Sequence, residues 1–372
     1  MQAVATEAEG AARAKARAAG AANEGRVAAA APPEREAPPS AAGSGLLAGL
    51  GRVIRAPSAS VILATVALVL LIGALRPNYL RLGQMADILQ ASTYVGLLAA
   101  GMAYLIAMRE IDLSVGSMFG LCLVATALLI KGGLNPWLAA LAGVLLGGVL
   151  GAVNAAIVAY IRIPTIVATL ATLSLYRGLA IGATNGIQVV GLPIDKPYFS
   201  LGGKWLGVPV GGIFLVVVGL IVGLVLHHTP FGYRVLAIGS NPEAASFSGI
   251  SITRVRTQVL ILSGLLAGVA GILGLAFFTS ADPNIGSGFE LQAIAAAVIG
   301  GTPLRGGSGT ILGAAFGAIL LNVVATGLSY FSIPANWSAF ATGLVILLAV
   351  GVDSFVRSRR EARNSRGGRP VT

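Results

Sequence analysis

The side chains able to do chemistry in this sequence are few, and they sit in breaks between long apolar runs. Asp112 and Ser114 fall in Ile111-Asp-Leu-Ser-Val-Gly-Ser117, and Asp282 falls in Asp282-Pro-Asn-Ile-Gly-Ser287. Carboxylates, hydroxyls and amides at such breaks suit two jobs: capping helix ends and closing turns, or contacting and gating a solute. Arg177 is the costliest residue of the apolar part, well beyond Pro164 inside the same run. A cation there either lines a wet path or snorkels toward an interface.

The longest internal hydrophilic stretch runs from His228 to Gly249. Ser240 or Asn241 can cap a helix there, Pro242 is preset for a first turn, and Glu243 suits the positive end of the dipole. The spacing predicts a short helix stopped near Gly249, which is either a surface linker or, with Phe247 and alanines on it, a plug for a partner's groove. Gly301-Thr-Pro-Leu-Arg-Gly-Gly-Ser308 comes close to a phosphate-binding loop, but Gly307 stands where the lysine that grips phosphates is needed. It reads as a tight turn. Cys122 is the single cysteine, His227 and His228 sit at the end of an apolar run, and no metal-ligand or catalytic spacing occurs. Neither enzyme activity, cofactor nor metal is expected.

The elements that position these residues are membrane spans. Apolar residues make up 56% of the chain and charged residues 10%, with mean hydropathy +0.85. A soluble globule of this size could not hide that much apolar surface. Runs long enough to cross a hydrocarbon core of roughly 30 Å recur from Ser58 to Val352. Spans are predicted at about 58–75, 86–108, 113–130, 137–160, 164–184, 208–227, 256–279, 289–301, 309–328 and 337–353. The eighth is short, and the third directly follows Arg109-Glu110-Ile-Asp112, so either could be a broken or re-entrant helix and eight full spans stay open. The expected class is an all-α polytopic membrane protein of about ten transmembrane helices, flanked by an Ala-rich basic tail over 1–57 and a basic tail over 354–372.

An internal repeat organises this domain. Residues 98–173 align without a gap on 268–343. Asp112 recurs as Asp282, Gly116-Ser117 as Gly286-Ser287, and Tyr160 with Pro164 as Tyr330 with Pro334. The copies, about 86–184 and 256–353, are displaced by five spans, which turns one upside down relative to the other, as in many transporters. Gly143-x-x-x-Gly147 and its copy Gly313-x-x-x-Gly317 put small residues one turn apart for close helix packing.

The net charge of +11 does not point to nucleic acid, because seven of the 25 basic residues precede residue 58 and six follow Asp353. Basic residues resist translocation, so both tails are expected in the cytoplasm of a bacterial inner-membrane protein, together with the loop 228–255.

With those residues in hand, the chain resembles the permease subunits of ABC sugar importers. Glu243-Ala244-Ala245-x-x-x-Gly249 is similar to the loop by which such permeases dock on their ATPases, without the trailing Ile-x-Leu-Pro. Ile111-Asp-Leu-Ser-Val-Gly-Ser117, His228-Thr-Pro-Phe-Gly232, Gly264-Leu-Leu-Ala-Gly-Val-Ala-Gly271 and the stretch Ala295–Gly309, in that order, resemble the ribose, galactose and xylose permeases. Glu110 departs from the family, which usually has Gly there. The resemblance implies a type II ABC importer permease fold, a second permease copy, cytosolic ATPase subunits, and a periplasmic or lipid-anchored sugar-binding protein. It also implies a coupling helix over 241–249, with Asn241, Glu243, Ala244, Ala245 and Gly249, and places Asp112, Ser114 and Arg177 near the pathway. The expected cargo is a monosaccharide or similar neutral polyol. An ion-coupled secondary transporter is the alternative, but it needs an embedded acid or cation site that only Arg177, Asp112 or Glu290 could supply.

Overall fold

The structure is a computed structural model that describes residues 57–334 and positions 337, 340, 343, 344 and 347. The tail predicted over 1–57, apart from its last residue, the tail over 354–372 and most of the tenth span lie outside the described residues.

Eleven α-helices are described. They are α1 (Pro57–Leu75), α2 (Leu82–Ala107), α3 (Val115–Lys131), α4 (Pro136–Ile161), α5 (Thr165–Thr184), α6 (Val210–His228), α7 (Pro230–Ser240), α8 (Pro242–Phe247), α9 (Ile252–Phe278), α10 (Phe289–Ile299) and α11 (Ile311–Tyr330). Each of the first nine predicted spans falls on a helix. Single 3-10 turns stand at Pro77–Leu80 and Pro197–Gly202, and Lys204–Trp205 (β1) pairs antiparallel with Val208–Pro209 (β2) in a small ribbon.

Local chemistry starts these helices where the sequence breaks. Asn135 Oδ1 accepts the amide of Trp137 ahead of Pro136, Thr229 caps α7, Ser251 caps α9 and Thr310 caps α11. Each satisfies an amide that would otherwise lack an acceptor. Six helices, α2, α4, α5, α6, α9 and α11, are long and apolar enough to cross a membrane, while α1, α3 and α10 are shorter apolar helices. At 1.5 Å per residue the 17 residues of α3 reach about 25 Å and the 11 of α10 about 16 Å, roughly half a hydrocarbon core. An irregular segment, 279–288, precedes α10 and reaches the first turns of α3, where a Cβ at Gly116 would strike the Gly286 carbonyl.

The centre of the described bundle is α2 and α9. Every residue from Ser92 to Met108 is buried. Hydroxyls in this dry interior bond back to their own helix, Ser92 Oγ to Ile88 O at 2.7 Å and Thr126 Oγ1 to Cys122 O at 2.7 Å. The crossing of α4 on α9 is glycine-tight: a Cβ at Gly147 would collide with the Gly264 carbonyl, one at Gly264 with the Gly147 carbonyl, and one at Gly151 with the Leu260 carbonyl. Backbones can approach this closely only through glycine, and in lipid that van der Waals contact is what holds helices together. The predicted second motif packs differently: Gly313 meets Gly300 and Gly317 meets Ala296, both joining α11 to α10.

The 170-residue register of the sequence repeat also appears in the backbone. Starts of α2 and α9 differ by 170, at Leu82 and Ile252. Among six described non-glycine residues with positive φ, four form two pairs in that register: Arg109 (66°) with Thr279 (55°), and Arg162 (61°) with Ser332 (59°). Such backbone is uncommon for L side chains, so its recurrence at matched positions is informative. On the outer faces Leu138, Leu141, Leu145, Val149 and Val153 form an exposed stripe along α4. Water would penalise that stripe, whereas acyl chains or another apolar helix would not.

Candidate translocation and coupling site

Segments from four parts of the chain gather at one end of α9. They are the break 108–112, the α4–α5 turn at 162–164, the α7–α8 segment and the 301–308 turn. At the other end of α9 lie the loop 185–209 and the break 279–284, joined by the bridge between Val189 and Ala281 and by Gln188 Nε2 to Ser280 Oγ at 2.7 Å.

The first break is built from its helix end outward. Arg109 takes the left-handed conformation that closes α2, and the Glu110 amide turns back to the Leu105 carbonyl at 2.8 Å. Arg109 Nε then donates to Gly239 O at 2.6 Å and its Nη2 to Ser240 O at 2.8 Å, the last two carbonyls of α7. Glu110 Oε1 accepts from Arg256 of α9 through Nε at 2.7 Å and Nη2 at 2.6 Å. Glu110 therefore has a partner.

Asp112 and Ser114 are both fully buried. Asp112 Oδ1 accepts from the Ser114 amide at 2.8 Å and from Ser114 Oγ at 2.6 Å. Asn154 Nδ2 of α4 donates to Ser114 Oγ at 2.8 Å, and Tyr176 of α5 donates its hydroxyl toward Asn154 Oδ1 at 2.9 Å. Asp112 Oδ2 has no hydrogen-bond partner. The result is a closed polar knot that ties the start of α3 to α4 and α5. Asn154 and Tyr176 escaped sequence reasoning, although an amide inside an apolar run is a signal that could have found Asn154.

Asp282, the sequence equivalent of Asp112, is exposed and closes its own turn by accepting the Asn284 amide at 2.8 Å. The structure does not bring it together with Asp112 or Ser114. Arg177 is half-buried and donates Nη1 to Pro283 O at 3.0 Å and Ile285 O at 2.8 Å. It clamps the second break instead of reaching freely for an interface. Glu290 Oε1 accepts the Gly288 amide at 3.2 Å, and its Oε2 is buried without a partner.

The predicted short helix forms as α8. Asn241 Oδ1 accepts the Ala244 amide at 3.1 Å, so Asn241, not Ser240, is the cap. Ala245 is buried against the rest of the protein, whereas Glu243 and Ala244 are exposed and Phe247 is 92% exposed. Gly249 ends the segment with φ +81°, a backbone that favours glycine, and open space surrounds its Cα. The turn at 301–308 uses positive φ at Gly301, Gly306 and Gly307, and the Gly307 amide donates to the Ala107 carbonyl at 2.9 Å. It braces the end of α2 and the end of α7, the role of a tight turn. Beside these segments a cleft of about 670 Å³ opens, lined by Arg109, Glu110, Arg162, Thr165, Thr253 and Arg256 among others.

Comparison with known proteins identifies the family. Residues 84–350 match the family described as the branched-chain amino acid transport system / permease component. The chain is 37% identical to the ribose import permease protein of Bacillus subtilis (strain 168) over 287 residues, 77% of this chain and 89% of that protein. It is 36% identical to the ribose import permease protein of Escherichia coli (strain K12) over 296 residues, 79% and 92% of the two chains. It is 37% identical to the autoinducer 2 import system permease protein of Salmonella typhi over 299 residues, 80% and 86% of the two. No solved structure matches. A helical, lipid-compatible bundle with glycine-tight crossings is the architecture such subunits need, and this chain belongs to the branched-chain amino acid transport system / permease component family of multi-pass membrane permeases.

Proposed function

We propose that this chain is the membrane-spanning subunit of an ATP-binding-cassette importer that carries a monosaccharide or similar neutral polyol into a bacterial cell. The observation that carries the coupling part of this reading is α8: a capped helix with Glu243, Ala244 and Phe247 presented outward on a segment anchored by buried Ala245. A side chain as apolar as Phe247, almost wholly exposed beside a charged N-terminal turn, suits insertion into a groove on a cytosolic ATPase subunit. Partners in the working complex are two such ATPase subunits, a second permease copy, and a periplasmic or lipid-anchored binding protein that delivers the solute.

The cargo class is supported by the relatives named for ribose and autoinducer 2 import. It also agrees with the dry, weakly charged interior, where hydroxyls and amides at the helix breaks are the polar groups at hand. In this reading the end carrying α7 and α8 faces the cytoplasm, and the two 170-register copies act as inverted repeats whose breaks, 109–114 and 279–288, alternate as inner and outer gates. Asp112, Ser114, Arg177 and Asp282 serve these gates, Asp112 and Ser114 by holding the first break and Arg177 by holding the second.

The test is substitution at the docking face. Replacing Glu243 with Trp, or Gly249 with Val, which strains a left-handed position, is expected to abolish uptake and co-purification of the ATPase subunits while membrane insertion persists. Normal transport by both variants would reject the docking role.

A further inference from the structure

We propose that Arg109 and Glu110 are positioning residues of a strap, residues 109–114, which transmits movement of α8 to the buried Asp112 knot and so to α4 and α5. The proposal rests on the reading of α8 as the ATPase-docking helix, and extends it to how the docking event reaches the membrane interior.

The strap touches four other helices within six residues. Arg109 holds the last two carbonyls of α7, immediately before Asn241 caps α8. Glu110 holds Arg256, in the first turns of α9 and shortly after Gly249 ends the α8 segment. The docking segment is thus gripped from the same dipeptide on both sides. Three residues further on, the Leu113 amide donates to Thr169 Oγ1 of α5 at 3.1 Å, and Ser114 meets Asn154 of α4.

Packing removes the slack at the α7 end. A Cβ at Gly239 would collide with the Ala107 carbonyl, and one at Gly306 would come within 2.6 Å of Arg109 Cγ. The Glu110 and Arg256 side chains are only 16% and 27% exposed, so water screens their pairing less than it would a surface pair. The contacts form a contiguous physical path from docking helix to buried knot.

The experiment uses the permease assembled with its ATPase subunits in membranes, with Thr165→Cys as reporter. Thr165 lies at the start of α5, lines the cleft and is 2% exposed, while the native Cys122 is buried inside the bundle. The readout is the rate of labelling by a membrane-impermeant maleimide before and after trapping the ATPases with ATP and vanadate. Trapping is expected to change that rate by ~10-fold with the strap intact. With Glu110→Gln or Arg256→Gln, the ATPases should stay bound and be trapped, yet the change should fall below ~2-fold, and the exchanged pair Glu110→Arg with Arg256→Glu should restore it. An unaltered change in the single variants, no change with the intact strap, or loss of assembly in the singles that the exchanged pair does not rescue would each overturn the proposal. Failure of the docking reading is seen separately, as ATPase subunits that remain bound to Glu243→Trp.

Discussion

At the scale of single residues, cost and partner decide role. Arg177 illustrates this: a guanidinium in an apolar helix is tolerated because two carbonyls of an irregular segment, Pro283 and Ile285, need a donor. Removing it leaves those carbonyls without that donor, which costs about 1 to 3 kcal/mol for a buried group. Arg177→Ala is therefore expected to lower the midpoint of thermal unfolding in detergent, and Arg177→Lys, with a single ammonium, to recover part of the loss. Asn241 works locally instead. Asn241→Ala removes the acceptor for the Ala244 amide and should weaken α8 by about 1 kcal/mol. Faster amide exchange confined to 242–248, with the rest of the bundle unchanged, would be the reading of that loss.

At the scale of elements, the crossing of α4 on α9 sets what the bundle tolerates. Gly147 and Gly264 sit carbonyl against Cα, so a side chain at either forces the helices apart along much of their length. Gly147→Leu is expected to destabilise the protein by more than ~3 kcal/mol, seen as loss of monodisperse protein after detergent extraction. Gly178→Leu on α5, where nothing lies within 4 Å of an added Cβ, should leave yield and stability nearly unchanged. The contrast separates packing from helix propensity, since both substitutions replace a mid-helix glycine by a good helix former. Sequence spacing pointed to Gly143 and Gly147 as packing positions, but the partner stripe on α9, Gly264 and Gly268, became visible only when the two helices were seen crossed.

For the whole molecule, the proposed importer function requires that another protein supply the work of uphill transport. Under the proposed function, the purified chain alone in sealed vesicles is expected to show no uptake of a monosaccharide against a gradient, and ATP-dependent uptake of the cargo is expected once ATPase subunits and a binding protein are added. Uphill transport by the chain alone in an imposed proton or sodium gradient would instead establish an ion-coupled carrier. The recurrence of left-handed residues at Arg109 and Thr279, and at Arg162 and Ser332, shows the two copies ending their helices alike. Their surroundings differ, with Asp112 buried in a knot and Asp282 exposed in a turn, so the two breaks are held by different chemistry.

What the sequence determined by itself is what depends on near neighbours along the chain. Apolar runs of membrane length, the Asn241-Pro242-Glu243 start of α8, the glycine stop at 249 and the gapless repeat are all local or periodic patterns, readable because capping, backbone freedom and lipid burial act within a few turns. Tertiary structure alone decided which distant groups meet. Glu110 finds Arg256 across 146 positions, Asn154 finds Ser114 across 40, and Arg177 finds Ile285 across 108. Those pairings follow from how helices cross, which no spacing within one helix encodes, and they separate a carboxylate that closes a turn from one that locks a buried break.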